Sequence, residues 1–341
     1  MSIFAALTTL IFLPIQFYFA GLFLKPPVQT DALMERVEGA SDSKDSIANN
    51  SFKDTITDPK TNSAALQEVG FLPQRKIDYI DAKVSAGASV VIDVDSGTIL
   101  HYDKGNEHLP IASLTKLMTA VLVMEKVPNL NEPVTIDSEA LATVPAKVGC
   151  PNSISSQCNA PMHKGEEITA GDLLTAMLID SANDAAIALG KYIAGSQSAF
   201  AGMMNEKAEE LGLKDSHFCN PSGLDMDGCY SSAYDLARVA AYSMKYDQLW
   251  KIMDTQEASV KSCNGKYEHL LKNTDVLLDQ IPNCLGGKTG FTYNAGKSLM
   301  LAAADPETGK HKIIAVILND NNRWEDMRNL VNWTYANYDW K

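Results

Sequence analysis

Apolar residues recur along this chain with two different periods, and the change from one to the other predicts the elements. Ser89-Val90-Val91-Ile92-Asp93 and Ser96-Gly97-Thr98-Ile99-Leu100 flank a turn cue at Asp95-Ser96-Gly97 and predict a β-hairpin. Toward the other end, 299–304 and 313–318 are apolar runs on either side of Asp305-Pro306-Glu307-Thr308-Gly309, a second hairpin cue. Between them the pattern turns helical. Leu117, Met118, Ala120, Val121, Leu122, Val123 and Met124 read as a buried helix. Further helical stretches run over 172–179, 184–193, 198–211 with Gly212 as C-cap, and 232–246. Strands from both ends with helices between them predict an α+β fold, an antiparallel sheet beside a helical region.

Ahead of this body the pattern differs. Residues 1–24 carry no charged side chain and are dominated by Phe, Leu, Ile and Ala until Lys25-Pro26-Pro27 ends the run. That length suffices to span a bilayer, which takes about 20 residues. The segment lacks the basic start of a secretory signal, and Ala20-Gly21 is a weak cleavage site, so an uncleaved N-terminal membrane anchor is favoured over a removed signal. From 25 to 85, Ser, Asp, Asn, Lys and Thr accumulate without apolar register, as in a flexible tether. The expected organisation is an anchor at 1–24, a polar linker at 25–85 and a catalytic domain at 86–341.

The net charge of −13 argues against nucleic-acid binding, which needs basic surface. There is no CxxC and no HExxH among the six cysteines and six histidines, so neither a metal nor a cofactor is expected. Fifteen pairings of six cysteines are possible. Proximity favours Cys150 with Cys158, Cys219 with Cys229 and Cys263 with Cys284, which would place the domain in an oxidising compartment.

Three short words carry the candidate chemistry: Ser113-Leu114-Thr115-Lys116, Ser181-Ala182-Asn183 and Lys288-Thr289-Gly290. Taken singly, each has an ordinary reading as a capped helix start, a helix cap or a turn with a surface lysine. Ser41 with Lys44 fits the first spacing in a polar stretch, and Ser262-Cys263-Asn264 fits the second. Context separates them, because Ser113 opens the apolar helix, and on a helix Lys116 shares its face. An amine beside a hydroxyl is what a serine nucleophile without histidine needs. Ser181 and Asn183 sit in a polar break between two apolar helical segments, the hydroxyl suited to pass a proton and the amide to hold a peptide group. Glycines around Lys288 and Thr289 let a substrate backbone approach a strand edge. Lys288 adds positive charge there, and Thr289 a donor for a carboxylate.

In this order the words resemble the serine D-alanyl-D-alanine carboxypeptidases, the low-molecular-mass penicillin-binding proteins of peptidase S11 type. The resemblance extends to Leu211-Gly212-Leu213, Phe218, Asn220-Pro221-Ser222-Gly223-Leu224-Asp225 and Asp235-Leu236. It implies a β-lactamase/transpeptidase-like fold with the active site in the cleft between sheet and helices. It also implies an enzyme on the extracytoplasmic face of a bacterial membrane that removes the terminal D-Ala of peptidoglycan stem pentapeptides through a serine acyl-enzyme, with β-lactams as covalent inhibitors. In that reading Ser113 is the nucleophile, Lys116 the general base and Ser181 the proton relay. The backbone N–H groups of Ser113 and Phe291 form the oxyanion hole, and Arg323, ten residues before Trp333, clamps the substrate carboxylate. The same words leave open a D,D-endopeptidase or transpeptidase. A β-lactamase is disfavoured because no ExxLN equivalent follows Asn183, and a non-catalytic wall-binding protein because it need not keep Ser113 and Lys116.

Overall fold

The computed structural model describes residues 72–77, 81–150 and 160–341. In chain order they form β1 (Pro73–Arg75), β2 (Ala88–Asp93), β3 (Ile99–Asp103), a 3-10 turn (Ala112–Thr115), α1 (Lys116–Lys126), β4 (Pro133–Thr135), α2 (Ser138–Ala142), β5 (Glu167–Thr169), α3 (Ala170–Ile179) and α4 (Asn183–Ala194). Then follow α5 (Gln197–Glu210), α6 (Ala233–Ser243), α7 (Asp247–Met253), β6 (Glu257–Lys261), β7 (Glu268–Lys272), β8 (Cys284–Thr292), β9 (Gly296–Ala303), β10 (Ile313–Leu318), α8 (Arg323–Asn337) and β11 (Tyr338–Trp340).

The unbroken apolar run of β10 has a simple cause. It is the middle strand of a five-stranded antiparallel sheet, β3-β2-β10-β9-β8, and both of its faces are covered. Ile314, Val316 and Leu318 join a core with the helices around α1, while Ile313, Ala315 and Ile317 join a second core with Met327, Leu330 and Val331 of α8. The two-residue alternation of a strand thus feeds both layers. Serine or threonine side chains cap three of the helices that the pattern predicts. Thr169, Ser196 and Ser232 accept the backbone N–H groups of Asp172, Ala199 and Asp235 at 3.0–3.1 Å.

The α+β expectation holds, and β8 lies at one edge of the sheet, where a strand can be added to it. The boundary at 86 is corrected. β1 pairs with β11 at the chain's end, and Ala82, Val84 and Ala86 pack against the α8 core, so the folded body begins within the stretch read as linker. The last expected helix, 232–246, stops at Ser243. Among the described residues no helix is long and apolar enough to cross a membrane, and the 1–24 segment lies outside them.

Cys219 and Cys229 form the expected disulfide. Cys158 lies outside the described residues, and with it the pairing expected for Cys150, which is disulfide-bonded. The pairing of Cys263 with Cys284 is corrected, because both are free thiols. Cys263 follows β6 and donates its N–H to Glu167 O at 2.7 Å, whereas Cys284 opens β8, whose Gly286 abuts Met253 and Asp254. Nearness in the chain did not become nearness in space.

Candidate active site

Ser113 lies in the 3-10 turn that leads into α1. In a 3-10 turn residues i and i+3 eclipse, so Lys116 falls directly under Ser113. The expected shared face is therefore realised by a tighter turn than an α-helix. Ala112 enters it at φ +47°, and Ser181 of the second word stands at φ +60°. Both are left-handed conformations that L-residues adopt at a cost, and here they aim the two serines. Ser113 is partly exposed, while Lys116 is fully buried.

Lys116 Nζ lies 2.8 Å from Ser113 Oγ, 2.6 Å from Asn183 Oδ1 and 2.6 Å from the Ser222 carbonyl oxygen. Lys288, also fully buried, donates to Ser181 Oγ at 2.9 Å and to Thr289 O at 3.1 Å. The first lysine therefore joins words one and two, and the second joins words two and three. Burial and the charge of nearby Lys288 drive the Lys116 amine well below the usual lysine range, with Asp184 opposing. Burial lowers Lys288 to about 7, against the pull of Asp275 and Asp180.

The third word packs against the turn that carries Ser113 because Gly290 has no side chain. A Cβ there would lie 2.9 Å from the Ile111 oxygen and crowd Leu114 and Ala112. Thr289 Oγ1 meets Thr274 Oγ1 at 2.6 Å. Arg323, at the start of α8, donates from Nη1 to Gly290 O at 3.0 Å and Ser298 O at 3.3 Å, and lies over the Trp324 ring. The arginine thus stands behind β8, beside the third word. Phe291, whose backbone N–H is the expected second oxyanion donor, has a half-exposed side chain.

Several supporting residues were given no role by the sequence. Asn220 Oδ1 accepts the N–H groups of Ser222, Gly223 and Leu224 at 2.7–3.2 Å, which folds the loop that presents the Ser222 carbonyl to Lys116. Thr119 Oγ1 donates to Pro221 O at 2.7 Å. Asp180 and Asp184 bracket the second word. Asp184 accepts from Val148 N, Asp180 from Gly149 N and Lys272 N, and Asn183 N donates to Ala146 O. Burial pushes the Asp184 carboxyl up to about 7 and that of Asp180 to about 6. Two acids flanking a short polar word between apolar helices were a signal available in the sequence; the role of a backbone carbonyl was not. Among the described residues no cluster of His, Cys, Asp and Glu could hold a metal ion.

Residues 75–322 match the peptidase S11 family, D-alanyl-D-alanine carboxypeptidase. D-alanyl-D-alanine carboxypeptidase DacF of Bacillus subtilis (strain 168) is 35% identical over 234 residues, 68% of this chain and 57% of that protein. DacD of Escherichia coli (strain K12), of the same description, is 34% identical over 284 residues, 80% of this chain and 68% of that protein. The crystal structure of D-alanyl-D-alanine carboxypeptidase from Mycobacterium tuberculosis H37Rv aligns with a TM-score of 0.67 at 29% identity, covering 77% of this chain and 96% of that one. The chain thus spans little more than half the length of the first of these relatives.

Proposed function

This chain belongs to the D-alanyl-D-alanine carboxypeptidase family, and from that premise we propose that it removes the terminal D-alanine of peptidoglycan stem pentapeptides through an acyl-enzyme on Ser113. The observation that carries this reading is the set of partners around Lys116 Nζ. A neutral amine has two N–H bonds and one lone pair. Asn183 Oδ1 and Ser222 O can only accept, so they take the two N–H groups and leave the lone pair for the Ser113 hydroxyl. Three acceptors would also suit an ammonium, but burial and the charge on Lys288 both favour the neutral form. A serine hydroxyl is a weak nucleophile until such a base takes its proton.

Ser113 Oγ then attacks the carbonyl of the penultimate D-alanine, and its proton passes to Lys116. The N–H groups of Ser113 and Phe291 hold the oxyanion. The C–N bond breaks, the D-alanine amine takes a proton through Ser181, and water hydrolyses the ester. Lys288 holds the Ser181 oxygen; Thr289 on β8 and Arg323, which is bonded to the Gly290 carbonyl oxygen, are assigned to the substrate carboxylate. Penicillin, which presents an acylating carbonyl in place of the peptide, labels the same oxygen. The uncharged run at 1–24, followed by a polar stretch, supports a domain anchored at the membrane and working on wall material outside it.

The test is to incubate the full chain with a pentapeptide ending in D-Ala-D-Ala and measure free D-alanine, cross-linked product and internal cleavage. Free D-alanine should dominate, and Ser113→Ala should abolish both its release and covalent labelling by fluorescent penicillin. Full-strength labelling of that variant would remove Ser113 from the mechanism.

A further inference from the structure

Lys288 presents a problem of charge. It is fully buried, yet its role opposite a substrate carboxylate requires an ammonium, and Arg323 adds a like charge beside it. We propose that Asp275 is a positioning residue for this side of the cleft, a buried carboxylate whose negative charge keeps Lys288 and Arg323 together as cations behind the β8 edge. The proposal rests on the reading of Ser113 as the acylated serine.

Asp275 lies in the connection between β7 and β8 and is 5% exposed. It is fastened twice, its backbone N–H donating to Asn273 Oδ1 and its side-chain Oδ1 accepting from Leu277 N, both at 2.9 Å. Asn273 is in turn tied to Met253 O and Thr255 O. Oδ2 is buried and has no hydrogen-bond partner. Its place is fixed by a missing side chain, since a Cβ on Gly287 would lie 2.3 Å from it. The free oxygen therefore sits over β8 one residue before Lys288. An unpartnered carboxylate oxygen is costly to bury, and nearby positive charge offsets that cost.

The electrostatics agree with this placement. Burial raises the Asp275 carboxyl to about 6, while Arg323 and Lys288 both pull it down. Reciprocally, Asp275 is the largest influence opposing the loss of charge on Lys288, and it supports Arg323 together with Asp320. The other charged groups facing Lys288 are Asp180 at the end of α3, Arg323 on α8 and Lys116 on α1. Asp320 also keeps a buried unpartnered oxygen but acts on Arg323 alone, whereas Asp275 acts on both cations. Its neighbour Thr274 bonds Thr289 across the same strand, so one short segment supports the third word both sterically and electrostatically.

The experiment uses Asp275→Asn in the full chain. Asparagine keeps an oxygen for Leu277 N and loses the charge. The rate of acylation by fluorescent penicillin is measured against pH, and the Lys288 side chain is titrated by its 13Cε shift. Below about pH 6, where Asp275 is itself protonated, variant and wild type should converge to within about twofold. Above it the variant should fall behind by about tenfold near pH 8, its alkaline limb and the Lys288 titration moving down by about one pH unit. Loss of rate by the same factor at every pH, or a Lys288 titration identical to wild type, would overturn the proposal. A second check needs no variant: in the wild type the Lys288 resonance should also record a step near pH 6 as Asp275 ionises, and its absence counts equally against the proposal. If wild type takes no penicillin label, the proposed function fails, while the Lys288 titrations still decide the role of Asp275.

Discussion

Gly223→Ala tests whether the Ser222 carbonyl positions Lys116, the proposed base. Gly223 has φ +80°, and a Cβ there would lie 1.9 Å from the Ala112 carbonyl oxygen and 2.7 Å from Thr115 Oγ1. The left-handed conformation alone costs an alanine about 1–2 kcal/mol. The overlap is the larger effect, because the nearest atom is backbone in the turn that carries Ser113. Opening that contact to about 3 Å moves one segment by about 1.1 Å. If the 220–224 loop retreats by that amount, Ser222 O goes from 2.6 to about 3.7 Å from Lys116 Nζ, beyond hydrogen-bond reach. Losing one buried bond to that amine is worth about 1.5–3 kcal/mol, or about 10- to 150-fold in acylation rate. Gly228→Ala is the control, since Gly228 has φ +85° but nothing within 4 Å of its Cβ position. It should lower Tm slightly and leave acylation within about twofold of wild type. Time courses of penicillin labelling with parallel melting curves measure both. Wild-type acylation by Gly223→Ala, or an equal loss in Gly228→Ala, would refute the assigned role of the loop.

Asp184→Asn should stabilise the fold progressively as pH rises. The Asp184 carboxyl titrates near 7 in the folded chain against about 4 when unfolded, so its contribution is full below about pH 4 and lost as pH climbs through 7. The Tm difference between variant and wild type should therefore grow by several degrees from about pH 5 to about pH 8, and a constant difference contradicts the burial account. Cys263, exposed and unpaired, should take one maleimide in the folded protein within minutes, whereas Cys284, whose thiol burial pushes up to about 12, reacts only on unfolding. A Cys263 that stays unreacted until reductant is added would restore the rejected pairing.

Much of this architecture was legible because its periods were clean. The turn cue between β2 and β3, the double-faced run of β10 and the Thr169, Ser196 and Ser232 caps all state their structure in local terms. The site words were legible as residue types at fixed spacing. Their supports were not, because Ser222 acts through a backbone oxygen and Gly223 through the absence of a methyl group. Asp275 was silent for a similar reason. Its importance depends on Gly287, twelve positions later, leaving room for an oxygen, and no periodicity records that. The linker boundary failed because β1 is three residues long and is held by pairing with β11 at the far end of the chain. Strand propensity in so short a segment carries no signal until its partner is known.

In the proposed mechanism the Lys116 cage serves both protonation states without rearranging, which links the buried lysines to the order of the reaction. Before attack the amine gives two N–H groups to Asn183 and Ser222 and faces the Ser113 hydroxyl with its lone pair. After attack it is an ammonium with three N–H groups, and all three partners, including the newly bonded Ser113 oxygen, can accept. Proton acceptance therefore reverses one hydrogen bond and moves no heavy atom, which is electrostatic preorganisation in its simplest form. The ammonium formed is fully buried and faces the charge on Lys288, so the gain is temporary. Repulsion favours return of the proton, and the Ser181 hydroxyl, held by Lys288 at 2.9 Å, provides a route toward the leaving amine. On this account the second cation has two tasks, attracting the substrate carboxylate and keeping the base ready to release what it takes up. Both depend on Lys288 remaining charged, and therefore on the carboxylate of Asp275 beneath the strand.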